Sequence, residues 1–467
     1  MRDLEDLRRG AREIFGDVLD AADARRAVLG AVEVGGARLR VCDAEFDLGA
    51  RKVYSVAVGK AAAAMASALD ERLGRRLVRG IISAPPSESP LSGRWSVFAG
   101  GHPLPDGASI EAARAAFGLL RAADEGSALV VFLVSGGGSA MIEWPRDPRL
   151  TLGDLREANR VLVSCGAAIG EVNAVRRALS AVKGGRLAAR APRAAQVTLV
   201  ISDVAAGREY DVASGPTLAP PGDAPAAREV IRRYALASKL PASVLQALEE
   251  EGARPPRGEP SKAPRGAAPT EAHAEGAPSA PLRRHYVLLD NARACAAAAE
   301  SARARGFAVE MAEDLDLSEQ PVGEGAAALV TRLAGLYRRE GAGGVCLISG
   351  GEFACPVRGA GFGGRNSETA LRCAFEFEKI WGGGEAGPKA RAAVALSAGT
   401  DGVDGNSPAA GALADHTTLS RSRGRGLDAT KFLEGSDAYT FFERLGDAVV
   451  TGPTGTNVRD VRILLAT

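Results

Sequence analysis

The hydrophobic positions of the chain fall in short unbroken runs, and each run ends in small flexible residues before a helical pattern begins. Val53–Val58 leads into Gly59-Lys60 and an Ala-rich segment, 129–134 into Ser135-Gly136-Gly137-Gly138-Ser139, and 197–201 into Ser202-Asp203. In the second half 345–348 meets Ser349-Gly350-Gly351-Glu352, and 393–396 meets Ser397-Ala398-Gly399-Thr400-Asp401. Runs that are apolar at every residue predict strands covered on both faces, and the helices that follow them predict α/β units. Ligands of such sheets bind outside the carboxyl ends of the strands, where these five loops would lie.

Between 251 and 284 the texture changes. PPRGEPSKAPRGAAPTEAHAEGAPSAP has scarcely a bulky apolar residue and cannot bury enough surface to offset its ordering entropy. It reads as a linker or insertion dividing an N-terminal α/β domain, 1–250, from a C-terminal one, 285–467. The opening MRDLEDLRRGAREIF predicts an amphipathic helix without the apolar core of a signal peptide. No apolar run approaches the roughly 20 residues that a membrane span needs. The expectation is a soluble protein of the cytoplasm that engages no membrane.

Composition narrows the picture. A chain of 467 residues is too long for one core. With aromatics at 5% and apolar residues at 46%, the cores must be filled mainly by Ala, Val and Leu. A net charge of +1 attracts neither nucleic acid nor an anionic surface in bulk, so affinity for an anion must be local. Six scattered Cys without CxxC spacing argue against a disulfide framework or a cysteine-rich metal site. Only 8 of the 58 basic residues are Lys, so a Lys inside a glycine-rich motif points to a need for an ammonium in particular.

Lys60 is such a residue, at a strand-to-helix turn where a flexible ammonium can follow charge onto a transferring phosphoryl group. A solvated surface lysine would fit the same turn. The successive amides of Ser135, Gly136, Gly137, Gly138 and Ser139 can form an anion nest. Asn173, Arg176 and Ser180 are spaced to share one helix face, with Arg176 a candidate for a substrate carboxylate. Gly359-x-Gly361-x-x-Gly364 has dinucleotide spacing, but the chain has no GxxxxGK[ST] phosphate loop. Arg365-Asn366-Ser367-Glu368 opens a helix whose N-terminus, with Gly363, Gly364 and Asn366, would face an anion that Arg365 also binds. Asp203, Asp401 and Asp404 follow strand ends and can hold Mg²⁺ or take a proton from a hydroxyl, although Asp-Gly pairs also form ordinary turns.

Taken in order, VGKAAAAMA, GGHPLPD, SGGGSA, NAVRRALSAVKGG, ISDV, ASGPT, SGGE, GFGGRN, SAGTDGVDG and TGPTGTNVRD resemble the glycerate 2-kinase family with a C-terminal MOFRL-type domain. The resemblance runs from about residue 50 to the end, apart from the 251–284 segment. It implies a Rossmann-like doubly wound N-terminal domain, a smaller C-terminal α/β domain, and an interdomain cleft that holds MgATP and D-glycerate. The family's active-site lysine and arginine fall on Lys60 and Arg365. After ISDV the family's Gly-Asp pair is replaced by Ala206-Gly207, then Arg208-Glu209. After SGGE stand Phe353-Ala354-Cys355 where the family has threonines.

The implied reaction is phosphoryl transfer from ATP to glycerate, with Lys60, Arg365 and Mg²⁺ sharing charge and Asp203 or Asp401 orienting the hydroxyl. The resemblance, not the spacing, implies attack by the C2 hydroxyl to give 2-phosphoglycerate. Two rivals stand beside it. A hydroxypyruvate reductase would use NAD(P)H at the glycine loop, but the acidic residue needed for a ribose, about 20 positions on at the end of a second strand, is lacking. A non-enzymatic ligand-binding regulator would leave both motif cations without a catalytic purpose.

Overall fold

The computed structural model describes residues 2–49, 51–87, 89–253, 281–312, 320–340, 343–381 and 392–467. Most of the 251–284 segment lies outside the described residues. The chain divides into two compact units. One comprises Val28–Val200 and Arg208–Tyr286, the other Met1–Ala27, Ile201–Gly207 and Val287–Thr467. The chain passes from the former to the latter within the strand Arg283–Leu289.

The first unit carries a six-stranded sheet in the order Trp95–Phe98, Leu77–Ser83, Val53–Val58, Leu129–Ser135, Ala195–Ile201, Arg283–Leu289. Counted along the chain this is 3-2-1-4-5-6, the doubly wound order. Val53–Val58 pairs in parallel with both Leu77–Ser83 and Leu129–Ser135. Every residue of Val53–Val58 and Leu129–Ser135 is buried, which is why their sequences are apolar without alternation. The strand order reverses between these two, so Gly59-Lys60 and residues 135–139 emerge at the topological switch point where ligands of such sheets bind.

A three-stranded antiparallel meander, Val32–Gly35, Arg38–Val41 and Ala44–Asp47, was not foreshadowed by any strong apolar run. Only alternate residues of Arg38–Val41 are buried, so four-residue strands leave a weak signal. Helices Leu152–Ser164, Ile169–Leu179, Ala227–Arg233 and Ala242–Ala253 form a separate core around Leu155, Leu162, Val175, Leu236 and Val244.

The second unit carries a mixed sheet. Its order is Ala308–Met311, Val345–Gly351, Asp460–Ala466, Ala393–Gly399, Gly411–Asp415, Ala448–Val449. The first pair is parallel, while Asp460–Ala466 runs antiparallel to both of its neighbours. Val345–Gly351 and Ala393–Gly399 therefore point the same way, and their carboxyl ends share one edge of the sheet. Asp460, the first residue of the strand between them, pairs with both Gly351 and Gly399 at that edge.

The N-terminal helix also corrects the expected division at residue 250. Leu4–Ala21 begins with a capping box between Asp3 and Asp6 and belongs to the second unit. Its face of Leu7, Ala11, Ile14, Phe15 and Val18 is buried, with Gly10 against Leu465. Arg8 crosses from it to Asp415 and Asp447, whose carboxylates also take Arg421. Amphipathic periodicity predicts such a helix but not which sheet will cover it. Arg8→Met should leave the two buried carboxylates with Arg421 as the cation still paired to both. Chemical denaturation should show a loss of about 3 kcal/mol, at the low end for a broken buried ion pair because Arg421 remains. An unchanged midpoint would mean the helix contributes little to the unit.

Candidate functional site

At the switch point of the first unit two strand ends touch. Gly59 has φ +115°, and a Cβ there would lie 2.3 Å from the Ser135 carbonyl oxygen and 2.4 Å from its hydroxyl. Only glycine permits this approach. The contact is tied by hydrogen bonds: Lys60 N donates to Gly136 O at 2.9 Å, and Ala61 N donates to Ser135 Oγ at 3.0 Å. The Lys60 side chain then runs over Gly137, whose φ is +80°. A Cβ on Gly137 would sit 3.0 Å from Lys60 Cγ and 3.4 Å from the His102 ring. Among the described residues, no group accepts a hydrogen bond from Gly136 N or Gly137 N. Two consecutive open amides beside the stem of the half-buried Lys60 suit an anion.

Behind this loop, Gly138 packs on Ala213, and Ser139 Oγ lies 2.8 Å from Ser214 Oγ. Ser214 Oγ donates to Asn173 Oδ1 at 2.8 Å, and Asn173 Nδ2 donates to Asp211 Oδ1 at 3.2 Å. Asp211 is buried and also takes Arg177 at 2.8 Å and Arg208 at 2.7 Å. Arg208, one of the residues that departs from the family pattern, is thus tied to Asp211. Arg176 donates to Asn159 Oδ1 at 2.8 Å and approaches Asn173 Oδ1 at 3.4 Å. Burial lowers its pKa against the opposing charge of Glu143. Beneath it, fully buried Lys183 pairs with Glu143, which also accepts from Ser180. Burial lowers Lys183 in the same way.

In the second unit Asp460 is the organising anion. It takes Arg365 Nε at 2.5 Å and Asn366 Nδ2 at 2.9 Å, and Arg365 Nη2 reaches Glu352 at 2.7 Å. Burial works against the Arg365 charge, but Asp460 and Glu352 outweigh it and hold the guanidinium pKa above its ordinary value. Burial pushes the Glu352 carboxyl up, against the pull of Arg365. Arg462, fully buried against the Phe353 ring at 3.7 Å, is lowered by burial to about 10. Sequence reading did not select Asp460. Its only signal was its place at the end of the TGPTGTNVRD string.

The loop before Arg365–Trp381 behaves differently from the anion cradle expected. Gly361 N donates to Gly435 O, Phe362 N to Asp437, Gly363 N to Asn406 and Gly364 N to Ser367 Oγ. The first amides of the helix, those of Asn366 and Ser367, donate to Asp404 at 2.9 and 2.8 Å, and Ser367 Oγ adds a third bond at 2.7 Å. The amides assigned to phosphate at Gly363, Gly364 and Asn366 are therefore committed within the protein. The glycines serve close packing. A Cβ at Gly359 would lie 2.5 Å from Gly435 O, and one at Gly364 would lie 2.4 Å from Asp404.

Asp404 is corrected in the same way. It is buried, both of its oxygens cap a helix, and burial pushes its carboxyl up. Among the described residues no three His, Cys, Asp or Glu side chains are grouped to hold a metal. Asp401 accepts from Val403 N at 3.1 Å and shares the bare face of Gly399 with Asp460, while Asp203 follows the strand Ala195–Ile201. Arg365, Asn366, Glu368, Asp404, Asn406, Phe353 and Cys355 line a cavity of about 440 Å³. Among the described residues no helix is long and apolar enough to cross a membrane.

The fold defines a doubly wound α/β unit joined to a mixed-sheet α/β unit. A family model described as a domain of unknown function, DUF4147, matches residues 10–249, and the MOFRL family matches residues 345–460. The glycerate 2-kinase of Pyrococcus horikoshii is 33% identical over 464 residues, covering 99% of this chain and 98% of the relative. An Agrobacterium vitis protein, provisionally named a hydroxypyruvate reductase, is 38% identical, covering 88% of this chain and 98% of its own. The crystal structure of the Thermotoga maritima glycerate kinase superposes with a TM-score of 0.76 at 30% identity, covering 99% of this chain and 100% of the other. The chain belongs to the glycerate 2-kinase family.

Asp404→Ala should lower stability by about 1–2 kcal/mol through loss of the helix cap, measured by thermal or chemical unfolding, and excess Mg²⁺ should not restore it. Unchanged stability with activity recovered by Mg²⁺ would instead make Asp404 a metal ligand.

Proposed function

We propose that this chain transfers the γ-phosphoryl group of ATP to D-glycerate, giving 2-phosphoglycerate and ADP. The observation that carries the reading is the switch point of the first unit. There a lysine and two open amides stand at the reversal of strand order, in a chain whose relatives include named glycerate kinases. Phosphoryl transfer spreads charge over the phosphoryl oxygens, so the protein contributes mainly position and electrostatics. Lys60 supplies a compact cation beside the amides of Gly136 and Gly137. Arg365, held by Asp460 and Glu352, supplies a fixed planar one. Arg176 is the candidate for the glycerate carboxylate, with Asn173 ordering it. Asp203 or Asp401 would accept the proton of the attacking hydroxyl.

Asp203 and Asp401 are also the carboxylates that would hold Mg²⁺. An ion that keeps several waters and binds substrate phosphates needs only one or two of them. When bound, the ion supplies positive charge to the phosphate oxygens. Clamping the glycerate carboxylate brings the adjacent C2 oxygen closer to the phosphoryl group than C3, in line with the family's regiochemistry.

The name of the Agrobacterium vitis relative favours a second reading, hydroxypyruvate reduction with NAD(P)H. The glycine loop speaks against it. Its amides are bonded within the protein and the helix N-terminus is closed by Asp404, leaving no cradle there for a pyrophosphate. The test is to incubate the chain with MgATP and D-glycerate and couple the product to enolase and pyruvate kinase. Signal should appear without added mutase. Signal only after mutase addition would move the attack to C3. Nicotinamide oxidation with hydroxypyruvate and no phosphorylated product would replace the kinase with the reductase.

A further inference from the structure

Ser139 lies in the loop assigned to phosphate, yet the hydrogen bonds behind it leave its oxygen unable to donate. Asp211, buried and paired with Arg177 and Arg208, anchors the chain of bonds. Asn173 Nδ2 faces its Oδ1 at 3.2 Å and its backbone oxygen at 3.4 Å, so the Asn173 amide cannot be turned round without setting oxygen against oxygen. Asn173 Oδ1 must therefore point the other way, as a pure acceptor. There it takes the single proton of Ser214 Oγ at 2.8 Å and approaches Arg176 Nη1 at 3.4 Å. With that proton used, the 2.8 Å contact between Ser214 Oγ and Ser139 Oγ has one solution, in which Ser139 donates. Ser139 is left with lone pairs alone. It is also the outermost member of the chain, since Ser214, Asn173 and Asp211 are buried while Ser139 is not.

The backbone marks the same place. Ala213 and Ser214 both adopt left-handed φ, +51° and +60°, followed by Gly215 at +70°. Two adjacent non-glycine residues in that region are costly, and such strain persists where surrounding structure holds it, often at a site. Here Gly184 N bonds Ser214 O at 3.2 Å, Gly185 N bonds Gly215 O at 2.7 Å, and Gly138 packs on Ala213. The strained turn delivers Ser214 to Ser139.

We infer that Ser139 accepts a hydrogen bond from a hydroxyl of the hydroxy-acid substrate, and that Asp211, through Asn173 and Ser214, is the positioning residue that sets this polarity. A phosphate oxygen, which can only accept, would be repelled at Ser139. The residues that hold the anion amides open and those that read the hydroxyl are thus different members of one loop. Arg176, bonded to the same Asn173 oxygen, joins a cation for a carboxylate to the network that ends at the hydroxyl acceptor. The pair describes a subsite for a 2- or 3-hydroxy carboxylate. The inference rests on the proposed kinase reading for the identity of the substrate, D-glycerate.

The experiment uses the full chain. Initial rates for wild type and Ser139→Ala are measured against D-glycerate and against MgATP, with calorimetric titration of D-glycerate alongside. Loss of one neutral hydrogen bond should raise KM and Kd for D-glycerate about five- to tenfold and leave KM for ATP within about twofold. Ser214→Ala, which returns the Ser139 proton, should weaken D-glycerate in the same direction, and it carries the test if Ser139→Ala does not fold. A rise in KM for ATP alone would make Ser139 a nucleotide contact and overturn the inference, as would unchanged constants for both substrates. A wild type that forms no phosphorylated glycerate defeats the kinase reading separately, and the calorimetric arm still decides the role of Ser139.

Discussion

The structure depends first on a backbone contact that no side chain could survive. Gly59 lies so close to Ser135 that a methyl group at residue 59 would overlap both the carbonyl and the hydroxyl oxygen. That contact locks the carboxyl ends of two parallel strands together where the strand order reverses. From it follow the path of Lys60 over Gly137, the opening of two amides, and the packing of Gly138 on Ala213. Chemistry collects at such a place because, where the strand order reverses, the connections after two adjacent strands leave toward opposite faces of the sheet and open a crevice beyond their carboxyl ends.

The second unit solves a different problem, which is to hold a cation steady. Asp460 begins a strand flanked on both sides by strands running the other way, so it meets the ends of two glycine loops at once. Its carboxylate fixes Arg365 and Asn366, while Glu352 takes the other side of the guanidinium. Arg462, packed on Phe353, lies 3.8 Å from the same carboxylate. A planar guanidinium held on two edges gives up little further freedom when it meets an anion, whereas a lysine in its place would lose the fork geometry.

Much of this was legible in the sequence, and the rest was hidden for physical reasons. Apolar runs ending in Gly and Ser gave away the α/β units, and the glycines beside Lys60 and Ser135 marked a strand-to-helix turn and a candidate anion loop, though not the contact between them. Strand order was not legible, because a buried strand reads the same at any position in a sheet. Nor was the sheet that covers the first helix, since an amphipathic face names no partner. The loop before Arg365 misled for the same reason that glycine motifs often do. Glycine reports that something comes near, not whether it is a phosphate or a neighbouring loop such as 435–437. Asp404 read as a metal ligand because a carboxylate after a strand looks the same whether it faces an ion or a helix end. Asp211 and Asp460 were missed because each acts through residues distant in sequence.

Lys60 tests the account most directly, because the whole switch point is arranged around its path. The measurement is kcat of Lys60→Ala with D-glycerate and MgATP, set beside the unfolding midpoint of the same protein. A charge used mainly in the transition state should cost at least about a hundredfold in kcat while the midpoint stays within a degree or two of wild type. A variant that turns over at nearly the wild-type rate would contradict the account, because the Gly59–Ser135 contact would then hold in place a residue with no part in the chemistry.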